Sequence, residues 1–196
     1  MSYYPGYCPE VEKKRRSWRQ NFLEYFQIFL VAGILAFLIT GFIVQPFMVD
    51  GSSMEPTLHN GQRLLVNKFL YRFNPPRTGD IVVFRYPGDV RLRFIKRVIG
   101  VPGDRVLIRN GHVFVNGRLL NEEYLRGIKT LGDFGPVKVG AGRLFVLGDN
   151  RNNSKDSRYS DVGLVPVGNV VGKAFFVYWP VNDIGVPSSV GASRRP

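Results

Sequence analysis

The sequence predicts a mainly β fold: an antiparallel β-sheet domain preceded by one N-terminal transmembrane helix. Three observations carry that expectation. Residues 28–44 run seventeen positions without a charge. No strong helical period follows residue 70. Instead, short runs of β-branched and aromatic residues recur, punctuated by Gly, Pro, Asn and Asp. The 196 residues suffice for one ordinary domain and an appendage. Hydrophobic residues make up 44% and charged residues 21%, which argues against disorder as the default class.

Taken in order, residues 1–24 are polar and carry the basic cluster Lys13 to Arg19. They read as a cytoplasmic N-terminal segment. Residues 25–45 read as a transmembrane signal anchor, since the uncharged run and its apolar flanks reach bilayer length. A cleaved signal peptide is disfavoured: the apolar core exceeds the usual length of about 7–15 residues and no A-x-A-like site follows. Five Lys/Arg precede the run, which puts the N-terminus in the cytoplasm and the remainder outside. Residues 46–196 then form an extracytoplasmic, β-rich catalytic domain, with 105–142 as a smaller inserted cap. Strands are expected at Gln62–Asn67, Ile81–Tyr86 and Leu92–Val101. Arg105–Arg109 and His112–Val115 flank Asn110-Gly111, whose positive φ values suit a tight hairpin. Gly142–Leu147 and Val170–Trp179 complete the set, and the Gly/Ser/Pro-rich tail from Val181 is expected to be loose.

The net charge is +12, and residues 46–196 hold 22 Lys/Arg against 12 acids. Such a balance suits an anionic partner, either nucleic acid or a membrane surface. The charges are scattered among strands rather than clustered with aromatics, which disfavours a basic binding module for nucleic acid or anionic lipid; no nucleic-acid partner is expected, and the lipid bilayer is implied by the apolar span. Cys8 is the single cysteine, and His59 and His112 are the only histidines. An intrachain disulfide is excluded, and neither a metal site nor a cofactor is expected.

Ser53, in Gly51-Ser52-Ser53-Met54-Glu55-Pro56-Thr57-Leu58, is the candidate nucleophile. Taken alone, a serine among small residues before Glu-Pro-Thr is more often a turn or cap residue. A nucleophilic hydroxyl needs a base. His59 is only six residues away and no Gly-x-Ser-x-Gly elbow is present, so a histidine triad has no positive support. Lys96 sits in an otherwise apolar strand with Phe94, Ile95, Val98 and Ile99. From this segment alone, an exposed strand lysine is the commoner case. If Lys96 is instead buried beside Ser53, desolvation lowers its pKa. A fall from about 10.4 to roughly 7.5 needs roughly 4 kcal/mol of preference for the neutral amine, which then serves as a general base.

These segments together resemble bacterial type I signal peptidases, membrane-bound Ser/Lys proteases that remove signal peptides from exported proteins. Residues 51–58 resemble the nucleophile box and Lys96-Arg97-Val98-Ile99-Gly100-Val101-Pro102-Gly103-Asp104 the general-base box. Gly148-Asp149-Asn150-Arg151-Asn152-Asn153-Ser154-Lys155-Asp156-Ser157-Arg158 resembles the third signature, and Gly79–Phe84 a further strand block. The resemblance implies that Ser53 is the nucleophile, Lys96 the base and Ser154 the serine that orients the lysine. It makes Asp156 and Arg158 a structural ion pair, with Asp149 and Arg151 also structural. Some members carry a serine two positions before the nucleophile. Here that position is Gly51, so the oxyanion would rest on backbone N–H groups, chiefly that of Ser53, helped by the Gly51 region. Val49, Met54, Leu58, Phe94 and Ile95 match positions lining pockets for small substrate side chains. The peptide would lie extended near Asp50, read through backbone hydrogen bonds. Phe47, Met48, Tyr178 and Trp179 are candidates for the bilayer surface, although Trp179 suits a packed core equally well. The implied partners are signal peptides of exported precursors and the cell membrane.

Overall fold

The computed structural model describes residues 18–38, 41 and 43–187. The chain divides into two compact units, Met1–Ile39 and Thr40–Pro196. In the first, α1 spans Trp18–Leu38 and its described side chains are exposed. The basic residues 13–16, Thr40 and the tail beyond residue 187 lie outside the described residues.

Of the expected span 25–45, residues 39, 40 and 42 lie outside the described residues. Among the described residues no helix is long and apolar enough to cross a membrane. The helix starts seven residues earlier than expected, and its first half carries Arg19, Gln20, Asn21, Glu24 and Gln27. Ile28–Leu38 is its uncharged remainder. Val44 and Gln45, expected inside the span, belong to the first strand instead.

In the second unit every strand pairing is antiparallel, as the alternating runs predict. The strands are β1 (Val44–Met48), β2 (Arg63–Asn67), β3 (Ile81–Tyr86), β4 (Asp89–Gly100), β5 (Arg105–Arg109) and β6 (His112–Val115), followed by β7 (Arg118–Leu119), β8 (Phe134–Lys138), β9 (Arg143–Leu147), β10 (Val165–Pro166) and β11 (Val170–Trp179). A seven-stranded sheet has the order β1-β2-β11-β3-β4-β9-β10, and a four-stranded sheet the order β7-β6-β5-β8. The smaller sheet is built on two tight turns, Asn110-Gly111 and Asn116-Gly117. Their φ values of 52°, 81°, 54° and 78° are the left-handed conformation that Asn and Gly tolerate. Strands β1, β7, β8 and β10 are not legible in the sequence: two are only two residues long, and β8 contains Gly135-Pro136.

Three apolar clusters hold this unit. Val49, Met54, Leu58, Leu64 and Val66 form one, beneath the loop that carries Ser53. Val82, Phe84, Val98 and Val146 form a second, and Phe94 packs on it. Ile99, Val106, Ile108, Val113 and Phe145 join the two sheets in the third. Burying a side chain of this size contributes roughly 1.5–3 kcal/mol, so the three clusters are the main favourable term. Strands β2, β11 and β3 separate β1 from β4 in the large sheet, yet Phe47 of β1 and Arg93 of β4 meet, with the guanidinium 5.7 Å from the ring centre. The sheet therefore curls, and β1, an edge strand, closes over β4.

Candidate active site

Ser53 sits in the loop after β1, and both ends of that loop are tied down. Fully buried Met54 and Leu58 anchor it from below, and Thr57 and Leu58 donate backbone N–H groups to the Met54 carbonyl at 2.9 Å. From the other side, the Asn150 N–H donates to the Ser53 carbonyl at 3.1 Å. The Asn150 side chain donates to the Ser52 carbonyl at 3.1 Å, and the Asn153 amide to the Ser52 hydroxyl at 3.2 Å. The Asn-rich loop expected as the third signature thus grips the serine loop directly.

Lys96 comes from the middle of β4 and is buried. Its Nζ lies 2.7 Å from Ser53 Oγ and donates to the Ile95 carbonyl at 2.9 Å. The Phe94 ring centre is 5.4 Å from Nζ. Burial pushes the Lys96 pKa down to about 8, with the Asp156 and Asp149 carboxylates opposing the shift. An amine in this range keeps a lone pair for part of the time at neutral pH and can accept the Ser53 proton.

The Ser53 N–H makes no hydrogen bond among the described residues, so it is available to an oxyanion. Gly51 differs from the expectation. Its N–H is donated to Asn60 Oδ1 at 2.9 Å and so is already committed within the loop.

Ser154 is buried on the other side of the serine loop. Its hydroxyl makes no hydrogen bond among the described residues, so the expected contact with Lys96 is not formed here. Gly148 lies between the two serines. A Cβ at Gly148 would fall 2.1 Å from Ser154 Oγ and 2.5 Å from the Ser53 carbonyl oxygen, so only glycine permits this approach.

Behind the site stand buried ion pairs. Asp156 receives two hydrogen bonds from the Arg158 guanidinium, at 2.8 and 2.9 Å, and accepts the Gly148 N–H at 3.1 Å. Asp149 is paired with Arg97, at 2.9 and 2.6 Å, and both side chains are fully buried. Arg151 donates to Glu122 at 2.5 Å, to Tyr124 Oη at 3.1 Å and to Thr130 at 3.1 Å. The Tyr124 ring covers the Arg97 guanidinium at 3.8 Å. Sequence reasoning missed Arg97, Glu122 and Tyr124. Arg97 carried a signal: a charge in an apolar strand must find a buried partner, and Asp149 is one. Glu122 and Tyr124 carried none, because their role depends on how the smaller sheet packs.

A cleft of about 250 Å³ opens at Ser53. Val49, Asp50, Phe94 and Ile95 line it, in the positions expected for substrate contact, together with Phe47 and Met48. Met54 and Leu58 do not: they lie fully buried in the cluster beneath the serine. Being apolar, they fitted pocket and core equally in the sequence, and packing of the loop sends them inward. Arg93 and Lys155 also line the cleft and were not anticipated. His59 faces Glu55, at 3.8 Å, with an exposed side chain, and does not line the cleft.

A serine hydroxyl against a buried amine, at the head of a cleft bordered by an edge strand, is an arrangement suited to a serine-type hydrolase acting on extended peptide. Comparison with known proteins gives the family. The profile of the signal peptidase family, peptidase S26, matches residues 22–179. The chain is 39% identical to signal peptidase I of Bacillus licheniformis, over 89% of this chain and 97% of that one. It is 39% identical to signal peptidase I T of Bacillus subtilis (89% and 94%), and 42% to the probable signal peptidase I-2 of Synechocystis (90% and 83%). A solved signal peptidase I from Enterococcus faecalis is 35% identical, with a TM-score of 0.45 over 51% of this chain and 97% of that chain. The chain belongs to the signal peptidase family, peptidase S26, as a bacterial type I signal peptidase and hence a serine endopeptidase.

Proposed function

We propose that this protease removes N-terminal signal peptides from exported precursors by a Ser53 nucleophile and a neutral Lys96 general base. The observation that carries this reading is the 2.7 Å contact between Ser53 Oγ and the buried Lys96 amine. Lys96 takes the Ser53 proton as Oγ attacks the scissile carbonyl. The Ser53 N–H stabilises the oxyanion. Lys96 then protonates the leaving amine, and the acyl-enzyme remains. The regenerated neutral amine removes a proton from water, which attacks the ester and frees Ser53. With a pKa of about 8, roughly a tenth of the enzyme holds Lys96 neutral at pH 7.

Ser154 orients the Lys96 amine in this scheme. Its support is the resemblance of the loop, together with a buried hydroxyl that has no competing partner among the described residues. Substrate adds as an extended strand beside β1, whose position at the sheet edge leaves backbone groups to pair. Val49, Phe94 and Ile95 provide an apolar wall suited to small side chains before the cut. Asp149, Arg151, Asp156 and Arg158 hold the two loops in register. The domain works on the extracytoplasmic side of the cell membrane, attached through its N-terminal apolar segment, with residues 1–24 cytoplasmic. The seventeen uncharged positions and the five preceding basic residues support that orientation.

The test is cleavage of a precursor bearing Ala-x-Ala before its cut site, by the wild type, Ser53→Ala and Lys96→Ala. Cleavage by the wild type with background rates in both variants is expected. Full activity in either variant removes that residue from the mechanism.

A further inference from the structure

We propose that Arg93 is a specificity residue that reads a carboxylate on the substrate, at the fifth position before the cut. The proposal rests on the reading of Ser53 and Lys96 above and adds a charge preference to the cleft beside them.

The strands place Arg93 at one end of that cleft. Pairing of β4 with β9 stops at Arg97, so Arg93–Lys96 pair with β3 alone. The cleft opens along this stretch, and Phe47 and Met48 of β1 line its other side. Side chains alternate along β4, so Arg93 and Ile95 share one face and Phe94 and Lys96 the other. Ile95 and Phe47 pack on the cluster beneath the serine loop, and the Arg93 guanidinium lies 5.7 Å from the same Phe47 ring. That contact spans the cleft from β4 to β1. It holds a long side chain in place at the end of the apolar wall.

Charge is unevenly distributed along the cleft. Arg93 is exposed and joins no ion pair among the described residues. Its register partner on β3 is Arg85, which adds positive charge rather than neutralising it. Lys155 also lines the cleft but is already matched. Its amine is paired with Asp161 and lies 5.0 Å from the Tyr86 ring centre, and Tyr86 Oη donates to Asp161 at 2.8 Å. Asp50 is the one acid of the lining, and in the chain it stands between the Phe47 end and Ser53. An arginine without an acidic partner offers a planar fork of donors that fits a carboxylate. The cleft therefore repels a carboxylate near the cut and attracts one farther along.

Spacing selects the position. Arg93 is three residues from Lys96, about 10 Å at about 3.3 Å per residue. An extended substrate advances at the same rate and alternates its side chains in the same way. With the first and third side chains before the cut turned to the Val49 and Ile95 wall, the fifth turns to the same face, about 13 Å from the first. The difference is within reach of an arginine side chain.

The experiment uses the full chain in a neutral detergent, with Ala-x-Ala precursors that carry Glu, Gln or Lys at the fifth position before the cut. For the wild type, kcat/KM should be about two- to fivefold higher with Glu than with Gln, the range expected of an exposed charge pair, and lowest with Lys. The difference should lie in KM rather than kcat, because the contact is the same before and during the reaction, and it should fade at about 0.5 M salt. Arg93→Gln should abolish the preference, Arg93→Lys should keep part of it, and Arg93→Glu should reverse it towards the Lys precursor. Glu at the second position, which faces the other way, should give no gain. Equal kcat/KM for Glu and Gln in the wild type overturns the proposal, as does a Glu preference that survives Arg93→Gln. A merely structural Arg93 would change all three rates alike in the variants and leave their ratios intact, which also overturns it. Cleavage of every precursor without charge preference refutes this inference and leaves Ser53 and Lys96 standing. Cleavage of none refutes the proposed function and this inference with it.

Discussion

Replacing Gly148 by alanine is the sharpest perturbation of the site, because it touches neither Ser53 nor Lys96 chemically. The added methyl would lie 2.1 Å from Ser154 Oγ, 2.5 Å from Ser154 Cβ and 2.5 Å from the Ser53 carbonyl oxygen. None of these atoms is the far end of a long side chain that can swing aside. Restoring an ordinary 3.4 Å contact moves the Ser53 carbonyl by about 0.9 Å. The same carbonyl accepts the Asn150 N–H, so the whole serine loop is displaced with it. Misplacing a reacting group by about 1 Å costs roughly a hundredfold in rate, and overpacking a tight site costs about 1–3 kcal/mol of stability. Gly148→Ala should therefore lower kcat about a hundredfold in precursor cleavage and lower Tm by several degrees. Gly148→Ala with Ser154→Gly removes the two serine contacts but keeps the clash with the Ser53 carbonyl, so kcat should stay low while Tm partly recovers. A Gly148→Ala enzyme with wild-type kcat refutes the close approach of the two loops.

Further outcomes follow from the buried charges. Lys96 is held near pKa 8 when folded and returns to 10.5 when unfolded, so the unfolded chain binds more protons between those values. Stability from this group thus rises with pH across that window, and Lys96 burdens the fold at neutral pH. Lys96→Met should raise stability at pH 7 by about 3 kcal/mol, and the gain should shrink towards pH 10.5, as read by denaturant melts across pH. Arg97→Met leaves Asp149 buried and unpaired and should cost about 3–5 kcal/mol, most of which Arg97→Met with Asp149→Leu restores. Glu122→Gln strips the buried Arg151 of its carboxylate. A loss of about 3 kcal/mol, roughly 10 °C in Tm, is expected by calorimetry.

Much of this protein was legible in its sequence because local physics and tertiary structure agree. The Asn-Gly turns adopt the left-handed conformations the dipeptides favour, and Ile81–Tyr86 forms the strand its β-branched residues require. Ser53 and Lys96 were readable only as a pair. Each is commonplace alone, and their contact depends on curling a sheet whose edge strand the sequence concealed. That strand, β1, was hidden because Val44–Met48 continues an apolar run and includes Pro46, which an edge strand tolerates. The extent of the helix was misjudged for a related reason. Apolarity marks which residues avoid water, but not where helix gives way to strand. The loop residues Met54 and Leu58 show the same limit, since being apolar does not distinguish the wall of a cleft from the core below it. Glu122 and Tyr124 were invisible because an acid and a tyrosine in a surface-like stretch acquire meaning only when Arg97 of β4 and Arg151 of the Asn-rich loop arrive beside them.

The pH dependence of kcat/KM for precursor cleavage tests the Ser53–Lys96 mechanism most directly. A free-enzyme acid limb with an apparent pKa of about 8, rising to a plateau as Lys96 loses its proton, is the expected result. A limb near that of an ordinary lysine, at about 10.4, or near that of a histidine, at about 6.5, contradicts a buried neutral amine as the base.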